Sequence, residues 1–458
     1  MTKINATRIR IVNNISVTVP NNAKFLTTYI LTEQNDWFED EIKFLRKFIK
    51  PGMYIIDIGA NYGLYTLSAA SCLKNQGHIW AFEPTTFTHN CLHSSIEANN
   101  FKNITLIHSA LSNKRGKAKL YLSSNSELNT LSKASTDSEQ YETINLSTLD
   151  HCYKHYKWRN IDFLKIDAEG EENKILSKSK KFFTEQSPLV MFELKHKKEI
   201  NTFLIKKFAS LGYSCFKLIP SLNLLVKFDQ KVPFDSFLLN LFCCKKDKVK
   251  QLQENGIIAT KTTAEVKIDG NLINNYIDRL PYLNIIVNQN EKECNSNHYQ
   301  NIFASYVMSR CIEVKIEERL EHLMNALAGV KKALEKGESR IHRLSTYSRI
   351  ALDAGERNLC VNILIFIIDR IIPKDSFNIN ETFFPACKLY EQLPTNGNIN
   401  KWLCSSIIEQ YIKRHAYSTY FTQEKTLPLF EKLTGLGFMS EEMKRRHQLI
   451  KMCYSAAQ

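Results

Sequence analysis

Several common sequence signatures are missing from this chain of 458 residues. Its 12 cysteines include no C-x-x-C spacing, so neither a zinc ribbon nor a disulfide framework is indicated. Unpaired thiols in that number favour a reducing compartment. No run of about eighteen apolar residues occurs, and the N-terminus lacks the apolar core of a signal peptide. We therefore expect a soluble, cytoplasmic protein that makes no contact with membranes.

One glycine-bearing turn stands out against these absences. The apolar run Met53–Ile56 leads into Asp57-Ile58-Gly59-Ala60-Asn61-Tyr62-Gly63, and the spacing predicts a helix over residues 62–74. Glycines at such a turn let the main chain approach a ligand closely. A second apolar strand ends in Glu83, about twenty residues on, where such folds place the acid that binds ribose hydroxyls. We infer an adenosine-bearing cofactor.

The charge at this turn indicates which adenosine cofactor it holds. Dinucleotide folds use G-x-G-x-x-G and phosphate loops use G-x-x-x-x-G-K-[ST], whereas this turn reads G-x-x-x-G after Asp57. A carboxylate there repels phosphate but suits an ammonium or a sulfonium. S-adenosylmethionine carries both and has no phosphate, so we predict it as the cofactor. A turn that merely links a strand to a helix is the alternative.

Strands and helices alternate over much of the chain, which predicts a parallel sheet with crossover helices. We divide the chain into an N-terminal β-hairpin and helix cover (1–50), the sheet domain (51–245), a connector (246–310) and a helical interaction domain (311–458). If Val17 and its neighbours fold over the cofactor turn, the hairpin is its cover. The polar stretch Ser123–Ser138 reads as a surface loop or as a lid over the acceptor.

Acidic residues end several of the predicted strands: Asp57, Glu83, Asp167 and Glu193. Ligands bind outside the carboxyl ends of such strands. We assign Asp167, Glu169 and Glu193 to the reacting end, where Asp167 or Glu169 would take the proton of an acceptor hydroxyl. In one alternative Asp167 only shapes the turn or caps the next helix. In another the three acids ligate Mg²⁺ or Ca²⁺, a divalent metal that we do not predict.

Histidines offer weaker candidates. His89 and His93 are four residues apart on a predicted helix, as metal ligands can be, but no third ligand is identifiable. Exposed helix histidines are the simpler interpretation. His196, shortly after Glu193, is a weaker candidate for the base.

Three sequence blocks, in this order, resemble the FkbM family of S-adenosylmethionine-dependent methyltransferases. They are Pro51–Thr66, Ala81–Pro84 and Leu164–Glu172, the last containing Lys-Ile-Asp-Ala-Glu-Gly. The resemblance covers about residues 35–245 and implies an α/β fold, a Rossmann-like doubly wound sheet. The helical spacing of apolar residues from Cys311 onward predicts a separate C-terminal all-α domain outside it. It implies methylation of hydroxyl groups on polyketides, sugars or other secondary metabolites. The residues assigned to the cofactor are Asp57, Gly59, Asn61, Tyr62, Gly63, Thr66 and Glu83.

We therefore predict an O-methyltransferase whose acceptor is a hydroxyl-bearing small molecule or glycan. The formal charge of +14 makes an RNA methyltransferase the first alternative. Against it, the Asn/Asp-Pro-Pro-Tyr/Phe block and the reactive Pro-Cys of base-methylating enzymes are missing. The second alternative is a non-catalytic, cofactor-binding scaffold that acts through its helical domain. That domain would serve a homodimer or a protein partner.

Overall fold

The computed structural model describes residues 5–123, 140–196, 199–200, 202–259, 266–283, 297–374 and 377–454. The chain divides into two compact units. The α/β unit comprises Met1–Leu218, Leu225–Asp229 and Leu238–Ile258, and the helical unit comprises Ile219–Leu224, Gln230–Phe237 and Ala259–Gln458. The expectation for Ser123–Ser138 falls almost wholly outside the described residues and stays a prediction.

The α/β unit opens with the predicted hairpin and two helices. Its elements are β1 (Ala6–Ile11), β2 (Ile15–Pro20), α1 (Leu26–Gln34) and α2 (Asp40–Phe48). Asn13 and Asn14 adopt positive φ angles of 62° and 61°, which asparagine tolerates better than most residues and which close the hairpin tightly. The Thr18 amide donates to Ser95 Oγ at 2.8 Å, and Val17 is fully buried.

A run of alternating strands and helices follows. It consists of β3 (Tyr54–Ile58), α3 (Leu64–Leu73), β4 (His78–Phe82), α4 (Thr86–Ala98) and β5 (Ile104–Ile107). Strand β3 is almost continuously apolar because parallel strands are covered on both faces by helices. Ser95, the partner of the hairpin, belongs to α4. The hairpin therefore packs on α4.

The second half of the unit completes the sheet. Its elements are β6 (Ala110–Leu111), β7 (Gly116–Tyr121), β8 (Tyr141–Ser147), α5 (Leu149–His155), β9 (Phe163–Ile166), α6 (Glu172–Ser177), α7 (Lys180–Glu185), β10 (Leu189–Glu193), β11 (Lys195–His196), β12 (Glu199–Ile200), α8 (Thr202–Ser210), β13 (Tyr213–Ile219), β14 (Leu224–Lys227), β15 (Asn240–Lys245), α9 (Lys246–Glu254) and β16 (Ile258–Ala259). Strands β6, β7 and β8 form a small separate sheet.

The main sheet has the order β16-β14-β13-β15-β10-β9-β3-β4-β5 over the described residues. Strands β10, β9, β3, β4 and β5 are parallel, and β15 is antiparallel to β10. The chain moves outward from β3 to β5 and then returns to the other side of β3 as β9. The order therefore reverses between β3 and β9, the place where such sheets bind ligands.

The helical unit contains helices over most of its described length. They are α10 (Gly270–Ile277), α11 (Asn297–Arg310), α12 (Ile316–Glu335), α13 (Ile341–Asp353), α14 (Arg357–Phe366), α15 (Ile399–Arg414), α16 (Leu427–Leu436) and α17 (Glu441–Tyr454). The α/β sheet with a helical C-terminal region is thus confirmed. Helices α9 and α10, strand β16 and helix α11 occupy the stretch 246–310, which the sequence suggested as a connector.

Helix α13 is the centre of the helical unit, because residues 341–351 are all buried. Its charged side chains are matched by acids outside the helix. Arg343 donates from Nε and Nη2 to Glu381 at 2.5 and 2.8 Å, and His342 Nε2 lies 2.7 Å from the same carboxylate. Arg349 lies 3.1 Å from Glu391. Within the described ranges, every helix is too short or too polar to cross a membrane.

Candidate active site

The turn after β3 can be built only with glycine at two positions. Gly59 has a φ of 76°, and a Cβ there would lie 1.7 Å from the carbonyl oxygen of Asp167. Gly63 has a φ of 85° and precedes α3, and a Cβ there would lie 2.2 Å from Cδ1 of Leu92. Both glycines therefore allow a close approach of the turn to neighbouring segments, Asp167 and Leu92. The close approach to a ligand stays a prediction.

Asp57 lies beneath this turn. Its Oδ2 atom accepts a hydrogen bond from Thr66 Oγ1 at 2.6 Å, and both residues are buried. Its Oδ1 atom is buried without a hydrogen-bond donor among the described residues and lies 3.6 Å from the Lys165 ammonium. Asp57 is not among the residues that line the cavity above the turn. It therefore acts on that cavity through its charge and through the turn that it supports.

Glu83 lines the cavity at the end of β4. Its Oε2 atom accepts the Asn61 amide at 2.9 Å and its Oε1 atom accepts the Thr85 amide at 2.8 Å. Burial raises the pKa of Glu83 to about 7, although these backbone donors lower it. A carboxylate has about four acceptor sites, so each oxygen keeps capacity for a ligand hydroxyl. This arrangement fits the two hydroxyls of a ribose.

Lys165 is a site residue to which the sequence reasoning gave no role. It occupies the middle of β9, is 4% exposed, and its Nζ atom lies 2.9 Å from Asp167 Oδ2 and 3.2 Å from the Gly59 carbonyl oxygen. Burial lowers the pKa of Lys165, but the charges of Asp167 and Asp57 raise it by more, so the ammonium persists. A lysine inside an apolar strand was the available signal, because such a charge needs partners.

The acidic segment after β9 forms another part of the cavity. Asp167, Glu169 and Glu171 line it. Glu169 has a positive φ of 49°, and Gly170 follows with a φ of 97°. The turn is held by Glu172, which accepts the amides of Ala168 at 2.9 Å and Gly170 at 3.2 Å. The sharp reversal therefore places the side chains of Asp167 and Glu169 at the cavity.

Glu193 ends β10 as predicted, but it is not among the cavity-lining residues. Burial and the negative charges of Asp167, Glu169, Glu172 and Glu39 raise its pKa to about 10. At neutral pH this carboxyl group therefore carries a proton. It can donate a hydrogen bond there but cannot accept a proton.

The N-terminal segment supplies the cover, although the hairpin does not. Thr27, Trp37 and Glu39 line the cavity, whereas Val17 is buried in the packing of the hairpin. Glu39 accepts hydrogen bonds from the Tyr65 hydroxyl and from Asn240 Nδ2 at 3.3 Å. No motif distinguishes Glu39 or Trp37, so sequence reasoning passed over both.

The histidine candidates lie away from these acids. The ring of His89 stacks on that of His108 with centroids 4.5 Å apart, and His93 lies 3.8 Å from Glu97 on an exposed face of α4. The side chain of His196 lies outside the described part. Among the described residues, no group of three or more His, Cys, Asp or Glu side chains is placed to hold a metal ion.

The cavity as a whole fits S-adenosylmethionine. One end has Glu83 with apolar neighbours, Phe82, Ala110, Leu111 and Leu120, which suit a ribose and a planar base. The other end has Asp167 and Glu169 around the glycine turn. The net charge between these ends is negative, which suits the sulfonium and the ammonium of this donor.

Comparison with solved structures finds distant likenesses over about half of the chain. A rRNA methylase from Streptococcus thermophilus is 10% identical, with 45% of this chain and 93% of that chain covered and a TM-score of 0.27. A SAM dependent methyltransferase from Aquifex aeolicus is 12% identical over 47% and 90%, with a TM-score of 0.26. TYW2 of M. jannaschii, solved with AdoMet, is 12% identical over 53% and 86%, with a TM-score of 0.29.

The sequence comparisons are more specific. No curated protein matches the chain significantly. Residues 57–215 match the family model described as the methyltransferase FkbM domain. This match contains the glycine turn, Glu83 and the acidic segment after β9, which line much of the cavity. Residues 57–215 are therefore similar to the methyltransferase FkbM domain and contain a methyltransferase fold.

Proposed function

We propose that this protein transfers a methyl group from S-adenosylmethionine to a hydroxyl of a sugar, a glycan or another secondary metabolite. The observation that carries the proposal is that Glu83, Asp167 and Glu169 line the same cavity. This cavity lies where the strand order of the sheet reverses, between β3 and β9. One end can bind adenosine and the other can receive an acceptor. S-adenosylmethionine, when bound, supplies an electrophilic methyl group on a positively charged sulfur.

The residues that would hold the donor belong to three elements. Glu83 would bind the ribose hydroxyls, and the turn with Gly59, Asn61, Tyr62 and Gly63 would face the methionine part. Asp57 and Thr66 would support that turn from below. The negative charge of Asp57 would favour a cationic donor over a phosphate-bearing one, since opposite charges attract strongly in a buried site.

At the acceptor end, Asp167 and Glu169 would contact the hydroxyl-bearing molecule. Lys165 fixes Asp167 Oδ2 at 2.9 Å, so this carboxylate is oriented before an acceptor arrives. Holding the two reactants in line can supply about 7–11 kcal/mol of the barrier reduction. Protonated Glu193 would stabilise this acidic region, because a second ionised carboxylate there would repel Asp167.

The lining favours an acceptor without phosphate near its reacting group. Glu39, Asp167 and Glu169 present carboxylates, and the Lys165 ammonium is shared between Asp167 and Asp57. Phosphodiester oxygens would be repelled from such a surface. This supports a glycan or metabolite acceptor over RNA, in spite of the overall charge of +14.

Calorimetry with S-adenosylmethionine tests the donor assignment. We expect binding by the wild type, and weaker binding by Asp57→Ala and Glu83→Ala. Glu97→Ala serves as the control because its side chain is 70% exposed on α4. Wild-type protein that binds no donor would end the proposal, and equal affinity in all four proteins would remove these acids from the donor site.

Two further measurements address the alternatives. Salt-dependent binding of RNA, with methylation of that RNA, would favour the nucleic-acid alternative. Donor binding without transfer to any of a wide set of glycosides and polyhydroxylated metabolites would favour a scaffold. For the helical unit we propose an interaction or dimerisation role, and sedimentation of the whole protein would reveal a homodimer.

A further inference from the structure

One cavity-lining carboxylate lies outside residues 57–215, the stretch that matches the family model. Glu39 immediately precedes α2 and accepts hydrogen bonds from the Tyr65 hydroxyl on α3 and from Asn240 Nδ2 on β15, the latter at 3.3 Å. Tyr65 and Asn240 are both buried. Elements far apart in sequence therefore fix this one side chain at the cavity.

The partners of Glu39 differ from those of the neighbouring acids. Asp167 pairs with the Lys165 ammonium at 2.9 Å, and Glu171 pairs with the Lys174 ammonium at 2.6 Å. Each of these two carboxylates is therefore already engaged by an ammonium. The two hydrogen bonds that Glu39 accepts come from a phenol and an amide, which are neutral.

The position of Glu39 also differs from that of Glu83, which is bound by backbone amides at the end of β4. In the sheet, β3 separates β4 from β9, so Glu83 and Asp167 stand on opposite sides of the glycine turn. Glu39 contacts Tyr65, whose ring also faces the Lys165 ammonium at 5.3 Å. Glu39 therefore belongs to the acceptor side of the cavity.

The surroundings raise the pKa of Glu39. Burial raises the pKa of Glu39, hydrogen bonds from Tyr65 and Trp37 and the charge of Lys165 lower it, and the charge of Asp167 raises it. The result is a pKa above the ordinary value. General bases work best when their pKa lies near the working pH.

Other titratable groups face Glu39 from neighbouring elements. They are Tyr65 on α3, Lys165 and Asp167 on and after β9, Glu41 on α2 and Glu193 on β10. The charge of Asp167 opposes ionisation of Glu39, and the Lys165 ammonium favours it. Glu41 and Glu193 have raised pKa values of their own.

We propose that Glu39 is the catalytic residue that takes the proton from the acceptor hydroxyl, and that Tyr65 and Asn240 position its carboxylate. This rests on the proposed function. The acceptor oxygen forms a bond to the methyl carbon while the bond from that carbon to the donor sulfur breaks, its electron pair staying on sulfur. The hydroxyl proton passes to the Glu39 carboxylate and then to solvent.

The first test needs neither donor nor acceptor. The pH titration of carboxyl carbons is followed by NMR in protein carrying ¹³C-labelled glutamate, and Glu39→Gln identifies the Glu39 signal by its loss. We expect a midpoint above about 4.3, the ordinary value of glutamate. Tyr65→Phe removes a hydrogen bond to the ionised form and moves the midpoint higher. Glu41→Gln replaces a neighbouring carboxyl group whose own pKa is raised to about 8, so the Glu39 midpoint should stay nearly in place.

The second test measures turnover with radiolabelled S-adenosylmethionine and a panel of methyl glycosides. Glu39→Gln should lower the rate about a hundredfold to ten-thousandfold, the usual contribution of a general base. Its donor affinity by calorimetry should stay within about threefold of wild type. Tyr65→Phe should move the acid limb of the pH–rate profile upward. Glu41→Gln, a buried neighbour that does not line the cavity, should keep its rate.

The outcomes separate the two proposals. Absence of donor binding in the wild type removes the proposed function as a whole. Donor binding with undiminished turnover in Glu39→Gln, or turnover lost in Glu169→Gln alone, removes only the role of Glu39. A Glu39 titration at the ordinary value that Tyr65→Phe leaves in place overturns the inference even for an acceptor outside the panel.

Discussion

The pKa values of Glu193 and Glu41 in the α/β unit and of Glu381 in the helical unit are shifted in opposite directions. In the α/β unit, burial and neighbouring acids raise the pKa of Glu193 to about 10, and burial raises that of Glu41 to about 8. In the helical unit, burial would raise the pKa of Glu381, but hydrogen bonds from His342 and Arg343 lower it to about 2. Acids outnumber cations around the cavity, whereas guanidinium groups match acids in the helical core.

This difference distinguishes buried carboxylates that stabilise the fold from carboxylates that can interact with a ligand. A buried acid with an arginine partner is satisfied before anything binds, so it contributes to the packed structure. Two ammonium groups pair with carboxylates around the cavity of the α/β unit: Lys165 with Asp167 and Asp57, and Lys174 with Glu171. The carboxylates outnumber these ammonium groups, and this leaves a negative field for a cationic donor. Perturbed acids in a cleft are therefore functional candidates, while those of the helical core are structural.

The largest expected effect comes from Gly59→Ala, a substitution at the cavity of the α/β unit. A Cβ there would meet the Asp167 carbonyl oxygen at 1.7 Å, so one of the two turns must move. We expect donor binding to be lost in calorimetry. Gly337→Ala is the control, because Gly337 in the helical unit also has a positive φ, 79°, but has no atom within 4 Å of the added Cβ. Equal donor affinity in both variants would contradict the prediction.

Arg343→Met removes one cation from the buried ion pairs of the helical unit. It leaves Glu381 buried without its closest cation, and breaking a buried pair in this way costs about 3–5 kcal/mol of unfolding free energy. Arg340→Met is the control, since Arg340 contacts the same carboxylate at 3.5 Å but is 54% exposed. Its loss should cost about 1 kcal/mol or less in denaturant unfolding. Similar losses of unfolding free energy in both variants would show that burial of the ion pair does not determine its contribution to stability.

Asp167→Asn removes one negative charge from the cavity of the α/β unit and so tests whether that charge serves the reaction. We expect donor affinity to be kept, because Glu83 and the glycine turn are unchanged. Loss of a hydrogen bond to a charged group costs about 1.5–3 kcal/mol, so turnover should fall about tenfold to a hundredfold or somewhat more. Radiolabelled methyl transfer measures it. An undiminished rate would remove Asp167 from the chemistry.

A further expected effect is in the pH dependence of stability. Glu193 has a raised pKa in the folded protein, so its contribution is complete below about 4.5 and declines as the pH rises toward about 10. Glu381 has a lowered pKa, so its contribution is present above about 4.5 and is lost as the pH falls toward about 2. Thermal unfolding of Glu193→Gln should therefore lose less stability than wild type between pH 5 and pH 8. A wild-type-like decline would contradict this assignment.

Much of the sheet could be predicted from the sequence because its signals are local. Asp57, Glu83, Asp167 and Glu193 follow directly from apolar runs, and the structure places each at or just past a strand end. The glycine turn was recognisable because Gly59 and Gly63 need conformations that other residues rarely adopt. These features depend only on neighbours in the chain.

The features that could not be predicted depend on residues distant in sequence. Glu39 gains its place from Tyr65 and Asn240, the latter about two hundred residues away, and no spacing rule expresses that contact. Strands β7 and β8 were missed because their small sheet is half exposed and flanks the polar stretch. Helix α13 carries charged residues that resemble a surface helix, and only their partners, Glu381 and Glu391, explain its burial.

The wall formed by Trp37 and Glu39 has one more consequence. It comes from a segment of chain ahead of residues 57–215, which contain the glycine turn. Substitutions in that segment can change the shape and polarity of one cavity wall while Gly59 and Glu83 keep their geometry. Under the proposed function, acceptor preference is therefore open to change without loss of the residues assigned to the donor.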